Sequence, residues 1–167
     1  MNSDLLIRTA STNDIPAIRH IAHDTWPVAY GQLLSKEQLD YMLDLMYSVH
    51  SLEEQMHKGH QFYIAELDGI PHGFASVSHE GDSRYKLNKL YVLPGTQKTG
   101  AGKTLLQQVI AFAKENKGRQ LFLQVKKDNP SKGFYEKQGF IIIDEIRLDI
   151  GNGYFMDDYI MELNIPD

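Results

Sequence analysis

The 167 residues carry 42% apolar side chains, enough to bury one core without covalent staples, and the absence of cysteine removes disulfide frameworks and zinc–thiolate sites. A formal charge of −5 argues against nucleic acid as the main partner and leans towards a cationic small molecule. Residues 1–10 lack an apolar segment behind basic residues and no stretch nears the ~18 apolar residues of a membrane span, so one cytoplasmic domain over residues 1–167, with no membrane partner, is expected.

In chain order, residues 5–8 form a short apolar run that predicts a first strand. Thr12, Asn13 and Asp14 then cap a helix with Pro16 in its first turn and Ile15, Ile18 and Ala22 on one face. At residues 26–31, W-P-V-A-Y-G, the pattern breaks into an expected aromatic loop. Ser35 with Gln38 reads as a capping box ahead of Leu39, Met42, Leu43 and Met46 at helical spacing. Ser51 with Glu54 repeats the signature before a further short helix. The period then changes to that of strands at 62–67 and 72–78 around an Asp68-Gly69 turn, with a third strand at 85–93. A helix over 103–117 capped by Gly118, a buried strand at 121–125, and a short helix from Asn129-Pro130 through Lys137 follow. Strands at 140–150 and 154–163 then flank a Gly151-Asn152-Gly153 turn, with Tyr159, Met161 and Leu163 on the buried face. Strand, helix, strand across residues 85–125 implies a right-handed parallel crossover.

The chain is organised around residues 87–106, L-N-K-L-Y-V-L-P-G-T-Q-K-T-G-A-G-K-T-L-L. A β-branched and aromatic run meets a glycine loop that opens an amphipathic helix, an arrangement suited to phosphate because the first backbone N–H groups are free and the helix end carries about half a positive charge. Gly102-Lys103-Thr104 ends like a nucleotide P-loop, but that motif needs a glycine where Gln97 stands. The dinucleotide fingerprint fails as well, since Leu105 takes the place of its third glycine.

Q-x-x-G-x-G at Gln97, Lys98, Thr99, Gly100, Ala101 and Gly102, directly after a strand ending L-Y-V, resembles the acyl-CoA pyrophosphate loop of the GNAT N-acetyltransferases. Val125-x-x-x-Asn129 and F-Y-E-K-x-G-F at residues 134–140 are similar to that family's next strand and helix, so the resemblance covers roughly residues 60–165. It implies an α/β fold of mixed α+β type: a mostly antiparallel sheet of six to seven strands, splayed between two central parallel strands, with helices on both faces. It further implies acetyl-CoA as co-substrate, with no metal. The backbone of Leu90, Tyr91 and Val92 would pair with the pantetheine arm. Amides from Lys98 to Lys103, ahead of Thr104, would cradle the pyrophosphate. Asn129 would hold the arm from the other side, and Tyr135 would face the thioester sulfur as general acid.

The reaction so implied is attack of a primary amine on the thioester. An alkyl amine is neutral to about one part in a few thousand at pH 7, a cost of ~4–5 kcal/mol, so a base or water chain is expected. The sequence departs from the family here: Asn88 stands where many relatives carry glutamate, and an amide orients water without accepting a proton. The segment from Asn129 to Tyr135 is also one residue shorter than usual. Trp26 and Tyr30, with Tyr41 and Tyr47 behind them, are acceptor-wall candidates as well as core. His20 with His23 and His57 with His60 have metal spacing but no third ligand, and read as solvated helix faces. The acceptor expected is a small amine or polyamine, with a homodimer as the assembly to test. A protein amino-group acetyltransferase and a non-catalytic acyl-CoA-binding module are the rivals.

Overall fold

The computed structural model describes residues 4–166. Its centre is a seven-stranded sheet in the order β1-β2-β3-β4-β5-β7-β6, formed by β1 (Leu5–Thr9), β2 (Gln61–Leu67), β3 (Ile70–His79), β4 (Arg84–Val92), β5 (Gln120–Lys126), β6 (Ile141–Gly151) and β7 (Tyr154–Asn164). Every neighbouring pair is antiparallel except β4 with β5. The parallel pair is the one joined by a helix, α4 (Ala101–Glu115), as the strand–helix–strand order predicts. Asp68 and Gly69 both take positive φ, 53° and 82°, which is the hairpin chemistry that joins β2 to β3.

Helices cover both faces. On one, Leu105, Leu106, Val109 and Ala113 of α4 recur at helical spacing and are buried against Tyr85, Leu87 and Val92 of β4 and Leu121 and Leu123 of β5. The short α5 (Ser131–Lys137) joins the same cluster through Tyr135. On the other face, α1 (Ile15–Tyr30), α2 (Lys36–Tyr47) and α3 (Val49–His57) pack Ile18, Ile21, Trp26, Leu43 and Leu52 onto Phe62, Ile64 and Phe74. Among the described residues no helix is long and apolar enough to cross a membrane.

Four local expectations are corrected. Residues 26–30 are not a loop: α1 runs through Pro27 to Tyr30, because Trp26 is buried and stacks edge-on to Tyr30 at 4.9 Å and Tyr47 at 5.7 Å. Packing of that size outweighs the one backbone bond a proline removes. The third helix starts at Val49, two residues before Ser51, with Ser48 as its cap accepting from Ser51 N at 3.1 Å. Gly118 is not the left-handed stop of α4. Lys117 takes φ 64°, and Gly118 is glycine because a Cβ there would lie 2.7 Å from the Tyr85 ring. Finally, α5 starts at Ser131 rather than Asn129, whose side-chain oxygen accepts from Ser131 N at 2.9 Å.

The sheet is open at its centre. β4 and β5 pair only at Arg84↔Gln120, Tyr85↔Leu121 and Lys86↔Phe122, after which the strands diverge. A β-bulge sits at the point of divergence: Ser76 pairs with Lys89 and Val77 with Leu87, leaving Asn88 as the extra residue. A bulge bends its strand and raises the local twist, which carries β4 away from β5.

Candidate active site

Three connected hollows follow the opening. A cleft of about 340 Å³ lies between α1, the start of α4 and α5, walled by Tyr30, Leu90, Tyr91, Val92, Asn129 and Tyr135, with Gly100, Gly102 and Lys103 at its far end. A cavity of about 260 Å³ lies on the α1–α2 side, bounded by Trp26, Tyr30, Tyr47, Asn88, Lys89 and Asp158. Between them, a gap of about 40 Å³ passes through the splayed strands past Leu90, Gln124, Asn129 and Tyr135. Tyr30 and Tyr91 line all three.

The far end of the larger cleft is the N-terminus of α4. Gly100 precedes the helix at φ 83°, a left-handed turn that costs L side chains ~1–2 kcal/mol, and the first helical amide, Ala101 N, makes only a long contact to Thr99 Oγ at 3.4 Å. Thr104 N closes the first helical bond onto Gly100 O at 3.0 Å, so the amides ahead of it have no intrahelical acceptor. This is narrower than the expected cradle. Lys98 and Thr99 form a 3₁₀ turn with Gln97 beside the cleft, and Thr99 N is committed to Thr96 O at 3.1 Å. The Gln97 side chain lies outside what is described. Ala101 is buried beneath the turn, and the Thr104 hydroxyl donates back to Gly100 O at 2.9 Å.

Along the cleft, β4 bonds β3 on one edge only. In an antiparallel ladder every second residue turns its N–H and C=O away from the partner, so within residues 89–92 those groups face the gap where β5 would otherwise lie. On the opposite bank, Asn129 donates from Nδ2 to the Tyr30 hydroxyl at 3.2 Å, which meets the Tyr91 hydroxyl at 3.1 Å. Burial raises the pKa of both tyrosines above the ordinary value, so the chain of bonds is neutral. Tyr135 is held between Phe134 and Phe140, ring centroids 5.3 and 5.6 Å away, and burial raises its pKa too.

Asn88 lines the smaller cavity and the gap, not the cleft. Its amide donates to Ser78 Oγ at 2.9 Å and Lys86 O at 3.3 Å, and Ser78 in turn donates to Glu80 Oε2 at 2.9 Å. The amide oxygen is left to accept from whatever enters. Trp26 and Tyr47, almost fully buried, are core and cavity wall at once. Tyr41 is drawn away instead, donating to Ile150 O at 2.8 Å. Among the described residues no three His, Cys, Asp or Glu side chains gather as a metal site would require.

Two residues of the cavity were not singled out by sequence. Lys89, displaced by the bulge onto the α1–α2 side, sits over the Tyr47 ring at 4.9 Å, and burial with Lys86 nearby lowers its pKa to about 8. Asp158 is 1% exposed, and neither of its carboxylate oxygens has a hydrogen-bond partner. Alternation along β7 places it opposite the Tyr159–Met161 face, where solvent was the natural reading. Met156 two residues before it and Ile160 two after were the signal that this face is covered too. The Lys126-Lys127 run divides: Lys127 pairs with Glu145 at 2.9 Å, and Lys126 lines the cavity.

Comparison with known proteins agrees with this geometry. An uncharacterized N-acetyltransferase of Mycobacterium tuberculosis is 28% identical over 150 residues, covering 89% of this chain and 96% of its own length. The PaiA N-acetyltransferase of Thermoplasma acidophilum, solved in complex with coenzyme A, superposes with a TM-score of 0.85 at 24% identity over 96% of this chain and 99% of that one. A structure from Salmonella typhimurium with its cofactor acetyl-CoA superposes with a TM-score of 0.70 at 21% identity, covering 99% and 96%. A family model described as an acetyltransferase (GNAT) domain matches residues 32–154, and the chain therefore belongs to the GNAT acetyltransferases, an acetyl-CoA-dependent acyltransferase family.

Proposed function

We propose that the protein is an N-acetyltransferase that moves the acetyl group of acetyl-CoA to the primary amine of a small molecule, by direct attack within a ternary complex. The observation that carries this reading is the opening of the sheet after Lys86↔Phe122, which joins a cleft ending at an uncapped helix N-terminus to a separate cavity on the opposite face. Unpaired strand edges are costly unless something pairs with them, and an extended pantetheine arm supplies those bonds at Leu90, Tyr91 and Val92. The open amides before Thr104, with Lys103, suit the pyrophosphate.

In this reading a gap-facing N–H of β4 stabilises the oxyanion that forms when the amine attacks. Asn129 positions the arm through the hydrogen bonds it shares with Tyr30. Tyr135 donates to the departing sulfur. A phenol at pKa ~10 protonates a thiolate at ~8.5 only uphill, by ~2 kcal/mol at ordinary values, and burial of Tyr135 raises that cost. Tyr135 therefore acts by a hydrogen bond that strengthens as charge builds on sulfur. Asn88 orients the nucleophile or a water through its amide oxygen. The assembly that fits the edge of the sheet is a homodimer: β6 is an eleven-residue edge strand exposing Ile141, Ile142 and Ile143, and light scattering is expected to give twice 19.1 kDa.

The test combines acetyl-CoA calorimetry with thiol release over a panel of amines. Micromolar binding and turnover that falls at least ~100-fold in Tyr135→Phe support the reading. Absent binding removes it, binding without turnover of any amine or peptide leaves a binding module, and full activity in Tyr135→Phe removes the donor role.

A further inference from the structure

The smaller cavity carries a charge pattern at odds with a simple cation site. Its only acidic wall residue among the described residues, Asp158, is buried with both oxygens unbonded, an arrangement whose charged form costs several kcal/mol unless a cation completes it. Yet three half-buried lysines, Lys86 and Lys89 from β4 and Lys126 from β5, line the same space. Among the described residues none of the three forms an ion pair within 4.0 Å, and Lys86 has only a 3.4 Å contact with Gln124 Oε1. A buried carboxylate without a hydrogen bond beside lysines without an ion-pair partner calls for a ligand bearing both signs.

We propose that the acceptor is an α-amino acid with an apolar side chain, its ammonium on Asp158 and its carboxylate on Lys86 and Lys126. This rests on the acetyl-transfer reading above and narrows its substrate. Asp158 and Lys126 are direct cross-strand partners of β7 and β5, and facing residues lie ~4.5–5.5 Å apart. Opposite charges rooted on facing residues and lining one small cavity suit groups on one carbon better than the ends of a long chain. A diamine would place its second ammonium against lysine. A peptide N-terminus would leave the lysines unmatched. One wall, made by Leu34, Met42, Met46, Ile150 and Met156, is apolar and adaptable, and 260 Å³ falls below the ~300–1,000 Å³ of drug-sized sites, so the side chain is compact.

Asp158 also answers the proton problem that Asn88 leaves. The groups facing it are Lys86 from β4, Lys126 from β5, Asp157 beside it on β7 and Tyr30 from α1. Burial dominates and raises its pKa from 3.8, bringing it nearer to that of a useful base. The bound ammonium gives one proton to the Asp158 carboxylate, and the free amine attacks the thioester carbon. As the C–N bond forms and the C–S bond breaks, the nitrogen loses a second proton. One proton ends on the coenzyme thiol and the other returns from Asp158 to solvent.

The test measures thiol release with leucine, leucinamide, isopentylamine and putrescine, with acetyl-CoA calorimetry alongside. Leucine is expected to exceed leucinamide and isopentylamine in kcat/KM by roughly tenfold or more. The leucine-to-isopentylamine ratio should collapse towards unity in Lys86→Met/Lys126→Met, and Asp158→Asn should lower leucine turnover ~100-fold or more. Leucine without acetyl-CoA should raise the wild-type melting temperature where isopentylamine does not, a readout that holds even if a variant folds poorly. Turnover of putrescine, isopentylamine or leucinamide equal to that of leucine, with acetyl-CoA binding intact, overturns the inference and leaves acetyl transfer standing. If acetyl-CoA does not bind, or no amine is acetylated, both fall.

Discussion

Tyr30 of α1 and Tyr91 of β4 meet hydroxyl to hydroxyl at 3.1 Å, and the same Tyr30 oxygen accepts from Asn129 at 3.2 Å. The contact ties the helix that walls the smaller cavity to the strand and loop that wall the larger cleft. Tyr30→Phe removes both bonds and leaves buried polar groups behind, at ~1–3 kcal/mol each at most. The expected result is a lower melting temperature and a raised KM for acetyl-CoA, since Asn129 loses the partner that orients it. An unchanged KM would show that Asn129 is positioned by its bond to Ser131 N alone.

Asp158 makes stability depend on pH with a definite sign. Its folded pKa is raised above the ordinary 3.8 by burial, so the folded state favours the protonated acid. That favourable contribution is complete below about pH 3.8 and is lost as pH rises through the folded value. Asp158→Asn is therefore expected to melt higher than the wild type at pH 7, with the advantage vanishing near pH 3.8, while losing activity. A variant that melts lower at pH 7 would mean that the carboxylate has found a partner in solution.

Lys89 works in the opposite range. Its folded pKa of about 8 lies below the ordinary 10.5, so charging it in the cavity opposes folding. That penalty is full below pH 8 and fades as pH climbs to 10.5. Lys89→Met should raise the melting temperature at pH 7 and lose that gain by pH 10.5. Equal effects at both pH values would locate the gain in packing against Tyr47 instead of charge.

Gly118 is expected to resist substitution for a reason of space. Its φ is ordinary, but an added Cβ would lie 2.7 Å from the Tyr85 ring and 2.8 Å from Ala113 O. Gly118→Ala should cost ~1–3 kcal/mol in urea melts through displacement of Tyr85 and the end of α4. Tyr85→Ala/Gly118→Ala should then lose less than the sum of the single changes.

Much of this was legible because it depends on neighbours in sequence. The crossover from β4 through α4 to β5 follows from period and order, and the Gly100 turn from the loop motif that ties it to Tyr135 and Asn129. What escaped depends on neighbours in space. Pro27 stays helical because Trp26 and Tyr47 meet from different helices. Asp158 is buried because α1 and α2 cover a face that alternation alone assigns to water. The overall charge of −5 leans towards a cationic small molecule, and it does not reveal that the cavity sets three lysines beside one aspartate. Net charge averages over a surface and says little about one hollow in it.

The bulge at Asn88 makes the site vulnerable to insertion and deletion in a way that substitution is not. Losing one residue there would restore regular pairing with β3 and leave Lys89 through Val92 on their present faces, since each keeps its partner on β3. The packing of Val92 on α4 and the contact of Tyr91 with Tyr30 would keep their sides of the sheet, but the bend that holds β4 away from β5 would go. The side chain at this position serves the cavity, but the length between Leu87 and Lys89 serves the sheet, fixed by the need to keep it apart.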